Sequence, residues 1–318
     1  MNKIIERIER QVGVQGLVAM LAECLGPTDL QSLLLEVYCR RARRRRPSEV
    51  LADYERNRFV RPSPVSPVRL LEWERVAFSQ LPPEFEPVEL SPVCPLGTCS
   101  AVASVDQNWS ISTARNTEVV SDSTNVLALE CALRRRELLR AAPRSREAVH
   151  LAASHRLLRG QRYEGPHLVS HFRLFALCSA GRDQGAWQFE LSVLALHARF
   201  YLRALRAFLG AEVPLQVSVS DLTSEVQAPL LESRLLAPIR HEFAKVTCLI
   251  DSERSSGRGY YTGLCFHIYA AAPSGLIELV DGGAVDWTQK LLSDAKERLV
   301  ISGIGGERVC TEFDYHTD

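Results

Sequence analysis

The chain has 318 residues, of which 46% are hydrophobic and 24% are charged. These values are typical of a globular protein with enough apolar surface for one large core or two smaller ones. Lysine plus arginine and aspartate plus glutamate both number 38, which excludes a strongly basic nucleic-acid binder as a whole but leaves local basic patches open. No apolar run reaches the ~18 residues of a membrane span, and the N-terminus lacks a signal-peptide pattern. We therefore expect a cytoplasmic protein without a membrane partner.

The nine cysteines are spread along the chain, and their odd count without a Cys-x-x-Cys pattern indicates reduced thiols within apolar segments. Cys94 and Cys99 could form half of a zinc site, but no second ligand pair is spaced to complete it. The sequence therefore predicts no metal site on the protein itself.

Residues 1–61 are predicted to form a small helical domain. Apolar residues recur at helical spacing from Ile4 to Val12, and Pro27-Thr28-Asp29 and Pro47-Ser48-Glu49 are typical helix starts. A proline-rich linker begins at residue 62, so we place the boundary there and assign residues 62–318 to a second domain.

Six arginines lie between Arg40 and Arg46, at the end of a predicted helix. Positive charge at a helix C-terminus offsets the helix dipole, which is one interpretation of the cluster. The other is a contact with RNA or with a carrier protein, because six cations exceed what a helix end requires. The sequence leaves both open.

The second domain is predicted to be α+β, with a mixed, mostly antiparallel sheet flanked by helices. Helices are expected over residues 68–81, 125–139 and 189–209. Strands are expected over residues 85–93, 110–120, 156–161, 172–178, 215–219, 248–250, 264–270, 277–280 and 299–301.

Two segments of this domain are suited to a nucleotide. Arg159 follows a predicted strand and precedes a polar loop, and Phe172 begins the next strand, so a guanidinium and an aromatic ring would flank one site. The segment 301–309 contains a glycine-rich strand-to-helix turn that ends in Arg308. Its glycines allow a flat base to approach the backbone, and the guanidinium can stack on that base.

Arg159, Phe172 and Arg308, in this order, resemble motifs 2 and 3 of the class II aminoacyl-tRNA synthetases, and the histidyl-tRNA synthetase catalytic core in particular. The resemblance covers roughly residues 65 to 310 and implies ATP and Mg²⁺ as cofactors. It implies that Arg159 binds the α-phosphate and the amino-acid carboxylate, that Phe172 stacks under adenine and that Arg308 contacts the nucleotide. Gln161 stands where the family reads the adenine amine with a glutamate. A core phenylalanine and a surface arginine are the alternative roles of Phe172 and Arg308.

The amino-acid end of the site differs from the family pattern. Leu174 and Cys178 occupy positions where histidyl enzymes hold the imidazole with polar side chains, so histidine is not the expected ligand. Asp122 matches the residue that holds the α-amine, with a helix cap as the alternative. Tyr260 and Tyr261 resemble the second histidyl signature and would line the amino-acid pocket or fill the sheet face.

A second catalytic arginine is missing from its usual position, which is Ser256 here. If residues 256–260 are extended, Arg258 lies on the same face as that position and could replace it. Arg159, Arg258 and Arg308 are then the predicted catalytic cations.

Two functions follow from the resemblance. The first is an ATP-dependent ligase that forms an aminoacyl-adenylate from an amino acid other than histidine and transfers it to an acceptor other than an ordinary tRNA. The second is a non-catalytic regulatory or scaffolding paralogue, similar to the regulatory subunit of ATP phosphoribosyltransferase. Only a short stretch separates Leu222 from Val246, where histidyl enzymes carry an insertion, and no anticodon-binding domain is expected after Cys310. The segment 68–95 resembles motif 1, which implies a homodimer.

Overall fold

A mixed β-sheet forms the centre of the molecule in the computed structural model, which describes residues 2–161, 170–223, 225–226 and 228–313. Within these residues the sheet has eight strands, in the spatial order β1-β5-β6-β11-β10-β9-β7-β8. Their bounds are β1 Glu86–Pro87, β5 Val149–Leu158, β6 His171–Arg182, β7 Leu215–Asp221, β8 Val246–Ile250, β9 Leu264–Ala272, β10 Gly275–Val285 and β11 Glu297–Gly305. The pairs β1–β5 and β7–β8 are parallel and the other pairs are antiparallel, as expected for a mixed, mostly antiparallel sheet.

Helices cover both faces of this sheet, which explains why its central strands are apolar on both sides. On one face α7 (Gln188–Leu209) buries residues such as Phe200 and Leu205 against the strands. On the other face α6 (Ser123–Ala141) packs residues such as Leu127 against β5 and β6. The remaining helices of this part are α5 Pro67–Ser79, α8 Ala228–Leu231, α9 Ala237–Glu242, α10 Trp287–Leu292 and α11 Gly306–Glu312.

The N-terminal region is helical, as its apolar spacing and proline-led starts predict. Its helices are α1 Asn2–Val12, α2 Leu17–Glu23, α3 Pro27–Arg43 and α4 Pro47–Arg56. None of the residues in α2, α3 and α4 is buried. The first 61 residues therefore share little core with the sheet, and the division of the chain at residue 61 stays a prediction.

The strand predicted over residues 85–93 is wrong for most of its length. Only β1 pairs with the large sheet, whereas β2 (Val93–Pro95) joins β4 (Thr117–Val119) and β3 (Ile111–Ser112) in a small separate sheet of the described chain. Pro87 and Pro92 lack the N–H that a sheet ladder needs, which limits pairing in this stretch, although the N–H of Val88 still donates to the carbonyl of Ala152 at 2.8 Å. The small sheet lies beside the cavity described below.

Candidate functional site

A cavity of about 730 Å³ opens on the face of the sheet that α6 covers. It brings together most of the residues that the sequence assigns to the site. Those that line it are Asp122, Arg159, Gln161, Phe172, Leu174, Tyr260, Tyr261 and Arg308. Arg258 and Cys178 do not line it.

Strand pairing explains why these distant residues meet. Leu157 pairs with Phe172, which places Arg159, just beyond the end of β5, beside the start of β6. Leu174 in turn pairs with Gly305, where β11 ends and α11 begins. The guanidinium of Arg159 lies 5.1 Å from the ring centre of Phe172. The predicted pairing of a cation with an aromatic platform is thus present geometrically, while the roles of both residues remain predictions.

The guanidinium of Arg159 is already bound by the protein. Its Nε donates to the carbonyl of Ser121 at 2.8 Å, and its Nη2 donates to Oδ2 of Asp122 at 3.0 Å. Oδ1 of Asp122 accepts from the N–H and the hydroxyl of Thr124 at 2.9 and 2.8 Å, which caps α6. Asp122 is therefore a helix cap and an ion-pair partner at once, and a ligand amine would have to share it with Arg159.

Part of the cavity floor is glycine backbone. Gly303 and Gly305 of β11 line it. A Cβ added at Gly303 would lie 3.0 Å from a methyl of Leu174, and one at Gly283 of the adjacent β10 would lie 2.6 Å from the ring of Tyr261. Glycine is thus required at Gly303 and Gly283, where Leu174 and Tyr261 already cover the backbone, whereas the open backbone of Gly305 can accept a planar ring.

The strand-to-helix junction places Arg308 at the rim, as the glycine-rich pattern predicts. Arg308 is exposed, and its Nη1 donates to the carbonyl of Glu278 at 2.9 Å. The neighbouring Glu307 is buried; its Oε2 accepts from the N–H of Arg173 at 2.7 Å, and its Oε1 lies 3.1 Å from Nη1 of Arg156. Glu307 therefore ties α11 to both β5 and β6.

The condition under which Arg258 would replace the missing arginine, an extended segment over residues 256–260, is not met. Gly257 and Gly259 have φ values of 83° and 82°, and the N–H groups of Tyr260 and Tyr261 both donate to the carbonyl of Gly257, at 3.0 and 2.9 Å. The segment is a turn, and Arg258 in it is exposed and outside the cavity. The two glycines flanking Arg258 are the sequence signal for this turn.

Arg254 is the buried arginine of this segment, and the sequence reading missed it. It is 8% exposed and donates from Nη2 to Oδ1 of Asp281 at 3.0 Å and from Nε to the carbonyl of Ser256 at 3.1 Å. Its Nη1 is buried without a hydrogen-bond partner among the described residues. A second cation thus lies behind the cavity wall, with one donor that no described residue binds.

Asp281 joins this arginine to the cavity, which it lines from the centre of β10. Nε2 of His267 lies 3.2 Å from the same Oδ1, and Nδ1 of His267 is 2.9 Å from the hydroxyl of Tyr269. Burial alone would raise the pKa of Asp281, but hydrogen bonding and charge from His267 and Arg254 outweigh it and lower the pKa. Two side chains, Arg254 and His267, therefore favour the ionised form of Asp281.

Cys178 lies too far along β6 to contact the cavity. It shares the sheet face of Leu174, but it is four residues further on and fully buried beneath α6, where its Sγ lies 3.6 Å from the carbonyl of Thr124. Burial raises the pKa of this thiol well above its usual value. Of Leu174 and Cys178, therefore, Leu174 alone lines the cavity.

Asn125 is a cavity residue that the sequence reading also missed. It is 3% exposed, and its Oδ1 has no hydrogen-bond partner within the described chain. Tyr260 lines the same cavity and also packs edge-on against Tyr261 and Trp287, with ring centres 5.0 and 5.6 Å apart. The tyrosine pair thus fills the sheet face and bounds the cavity at the same time.

In the described part of the chain, no group of three or more His, Cys, Asp or Glu side chains is placed to hold a metal ion. Cys94 and Cys99 are both buried, and burial raises the pKa of Cys94 to about 11, so it remains a thiol at neutral pH. No described helix is both long and apolar enough to cross a membrane.

The fold is that of the class II aminoacyl-tRNA synthetase catalytic core, similar to histidyl-tRNA synthetase and its regulatory-subunit paralogue. One similar structure is an ATP phosphoribosyltransferase regulatory subunit/histidyl-tRNA synthetase from Bacillus halodurans, with a TM-score of 0.58 and 13% identity over 78% of this chain and 80% of that one. Another is a histidine–tRNA ligase subunit from Alicyclobacillus acidocaldarius, with a TM-score of 0.55 and 15% identity over 79% and 94%.

The histidyl-tRNA synthetase of S. aureus is similar over 77% of this chain and 66% of its own, with a TM-score of 0.53 and 13% identity. Neither a protein-family profile nor a curated protein sequence matches the chain. At these sequence identities the structural similarity shows the fold alone. The activity has to be inferred from the residues of the site.

Proposed function

We propose that this chain is a regulatory relative of the class II synthetases, which binds a nucleotide and an amino-acid-like ligand without joining them into an adenylate. The observation that carries the proposal is the state of the cations around the cavity. Arg159 is paired with Asp122 and Arg254 with Asp281, while Arg258 is exposed outside the cavity.

Adenylate formation is sensitive to such neutralisation. Attack of a carboxylate on ATP builds negative charge at the α-phosphate, and preorganised cations aimed at that charge supply much of the rate enhancement. A guanidinium that is already paired with a carboxylate stabilises the negative charge of the transition state less, because the carboxylate cancels part of its positive potential. The same pairs do not prevent binding, because stacking and rim contacts remain available to a nucleotide.

The cavity residues fit a nucleotide. The adenine would stack on Phe172 above the glycine part of the floor, with Arg308 at the rim and Gln161 offering an amide to its edge. Arg159 would contact a phosphate, and Mg²⁺ would be carried mainly by the phosphate oxygens. ATP is therefore the nucleotide to test first.

The amino-acid-like ligand would have a small or apolar side chain. Leu174 and the tyrosine pair give the cavity an apolar end, whereas an imidazole needs polar partners when it is buried. The Oδ1 of Asn125, which has no hydrogen-bond partner among the described residues, can accept a hydrogen bond from a ligand N–H. Histidine binding more tightly than every other amino acid would contradict this part of the proposal.

An adenylate-forming enzyme is the second candidate, and one observation favours it. Nη1 of Arg254 is buried without a partner in the described residues, so it could bind an anionic group of a ligand. If ligand binding moved Arg254 from Asp281 into the cavity, the site would gain the second cation that Arg258 does not supply.

The partner of a regulatory subunit would be another protein chain, in keeping with the regulatory-subunit name of one similar structure. The arginine cluster Arg40–Arg46 offers a second kind of partner, an RNA or a carrier protein. Within it, Arg40 pairs with Glu36, Arg45 with Asp53 and Arg46 with Glu49. These local ion pairs reduce the net charge of the cluster, which weakens the polyanion alternative.

Two measurements on the same protein test the proposal. Calorimetry should detect ATP binding, and Arg308→Ala should weaken it by roughly 1–3 kcal/mol, the range for a charge-assisted hydrogen bond or a desolvated cation–π contact. Amino-acid-dependent exchange of pyrophosphate into ATP should stay at background for every standard amino acid. Exchange with any of them would establish the enzyme instead, and absent ATP binding would remove the nucleotide from the proposal.

A further inference from the structure

Arg58, in the segment after α4, reaches about a hundred residues along the chain to the edge of the cavity. Its Nη1 donates to the carbonyl of Gln161 at 2.7 Å and to the hydroxyl of Ser170 at 2.8 Å, and its Nη2 donates to the carbonyl of Gly160 at 2.6 Å. One planar guanidinium thus binds both ends of the connection between β5 and β6, which begins at the cavity residue Arg159.

The opposite side of the same backbone is also held. The N–H of Gly160 donates to the carbonyl of Trp109 at 2.7 Å, and a Cβ on Gly160 would lie only 2.5 Å from the carbonyl of Asn108. The N–H of Arg159 donates to the carbonyl of Ser170 at 2.8 Å. The backbone of residues 159–161 is therefore held between residues 108–109, which precede β3, and the guanidinium of Arg58.

A local turn over residues 57–59 fixes the position of Arg58. Oδ1 of Asn57 accepts from the N–H of Phe59 at 3.0 Å, and the ring of Phe59 lies 4.1 Å from the Arg58 guanidinium carbon. Nearby, Nε2 of His171 lies 2.5 Å from the carbonyl of Arg61. The end of the N-terminal helical region is thus fastened to the start of β6 as well as to the end of β5.

We propose that Arg58 is a positioning residue that couples the N-terminal helical region to ligand binding in the cavity. It orders the backbone that carries Arg159 and Gln161, which the proposed function assigns to the nucleotide, and in this respect the inference rests on that function. Because such coupling is reciprocal, a ligand in the cavity must also stabilise the docking of residues 57–61. A partner that binds the N-terminal helices would change ligand affinity by the same route.

The test compares full-length Arg58→Ala and Arg58→Lys with Arg56→Ala. Arg56 lies two residues away, but its contacts stay within α4, to the carbonyl of Ala52 and to Asp53. In Arg58→Ala we expect faster amide hydrogen exchange at residues 159–161 and 170–171, ATP binding weakened by about tenfold, and a melting temperature close to that of Arg56→Ala. Lysine keeps the charge but loses the planar fork, so Arg58→Lys should be intermediate.

A reciprocal readout separates coupling from a purely structural role. Saturating ATP should slow exchange at residues 57–61 in the unmodified protein and in Arg56→Ala, but not in Arg58→Ala. Unchanged exchange at residues 159–161 in both Arg58 variants would overturn the inference, as would faster exchange with unchanged ATP affinity. If the unmodified protein does not bind ATP, the proposed function fails, and the exchange rates without ligand still decide whether Arg58 positions this backbone.

Discussion

Arg254 and Arg258 are four residues apart in sequence, and their surroundings are opposite. Arg254 is buried against Asp281, and Arg258 is exposed in a turn. We expect Arg254→Ala to lower the free energy of unfolding by about 1–3 kcal/mol, because the variant removes the charge-assisted hydrogen bond from a buried guanidinium to Asp281 and the hydrogen bond to the carbonyl of Ser256. Arg258→Ala, the matched control, should stay within about 0.5 kcal/mol of the unmodified protein. Urea denaturation measures both, and equal losses would contradict the assignment.

His197 is a fully buried histidine in a hydrogen-bonded chain. Its Nε2 lies 2.8 Å from Oγ of Ser179, and its Nδ1 lies 2.7 Å from Oγ of Ser302. Burial lowers the pKa of His197 well below its ordinary value of 6.5, with a smaller contribution from His150. The imidazole is therefore neutral in the folded protein at neutral pH.

The pH dependence of stability follows from this depressed pKa. Below about pH 6.5 the unfolded chain takes up a proton at His197 that the folded chain does not. The contribution of His197 to the free energy of unfolding is therefore fully present above that pH and is lost as the pH is lowered. We expect the urea midpoint to fall between about pH 7.5 and 5.5, with a smaller slope in His197→Gln. An identical slope in that variant would assign the effect to other groups.

At the scale of elements, the ion pair between Arg135 and Glu297 ties α6 to β11. Both side chains are fully buried, and Arg135 donates to Glu297 through two hydrogen bonds of 2.8 Å. Arg135 also donates to the carbonyls of Ser145 and Glu147, before β5. One guanidinium thus ties together α6, β11 and the segment before β5.

Removing one member of this pair leaves a buried charge without compensation. Glu297→Ala should lower the free energy of unfolding by about 3–5 kcal/mol, whereas replacing both residues with apolar ones (Arg135→Met with Glu297→Leu) should recover much of that loss. Denaturant midpoints of the single and double variants check this. A double variant less stable than Glu297→Ala would contradict it.

The sequence predicts the long elements well and the directions of single side chains poorly. The helix predicted over residues 189–209 is observed as Gln188–Leu209, because its apolar face is periodic over many turns. Arg258 could not be placed correctly, because the direction of a side chain in a turn depends on the positive φ of neighbouring glycines. Cys178 could not be excluded from the cavity, because its cover by α6 is a tertiary contact without a local signal.

At the scale of the whole molecule, one face of α5 carries exposed apolar side chains, of which Phe78 also packs against Phe175 with ring centres 4.8 Å apart. Val68 is 64% exposed, Leu71 is 62% exposed and Phe78 is 39% exposed, and their spacing places them on the same side of the helix. This is the segment whose resemblance to motif 1 predicts a homodimer. Burying such a stripe in a two-fold contact would remove it from water.

We expect light scattering at micromolar concentration to give a dimer, and Leu71→Glu to shift it toward the monomer, because a carboxylate in an apolar interface is strongly disfavoured. Leu276→Glu is the control, since Leu276 is 54% exposed at the start of β10 and does not belong to α5. A monomeric unmodified protein, or a dimer insensitive to Leu71→Glu, would contradict the prediction.

The most direct test of the central claim, a cavity that binds a nucleotide without activating an amino acid, is a crystal structure of the protein with ATP. We expect adenine stacked on Phe172 beside the backbone of Gly305, Arg308 at its outer edge, and Arg254 still bound to Asp281. ATP in that position with Arg254 released from Asp281 and donating to the α-phosphate would contradict the claim, because the site would then hold the second cation that adenylate formation requires.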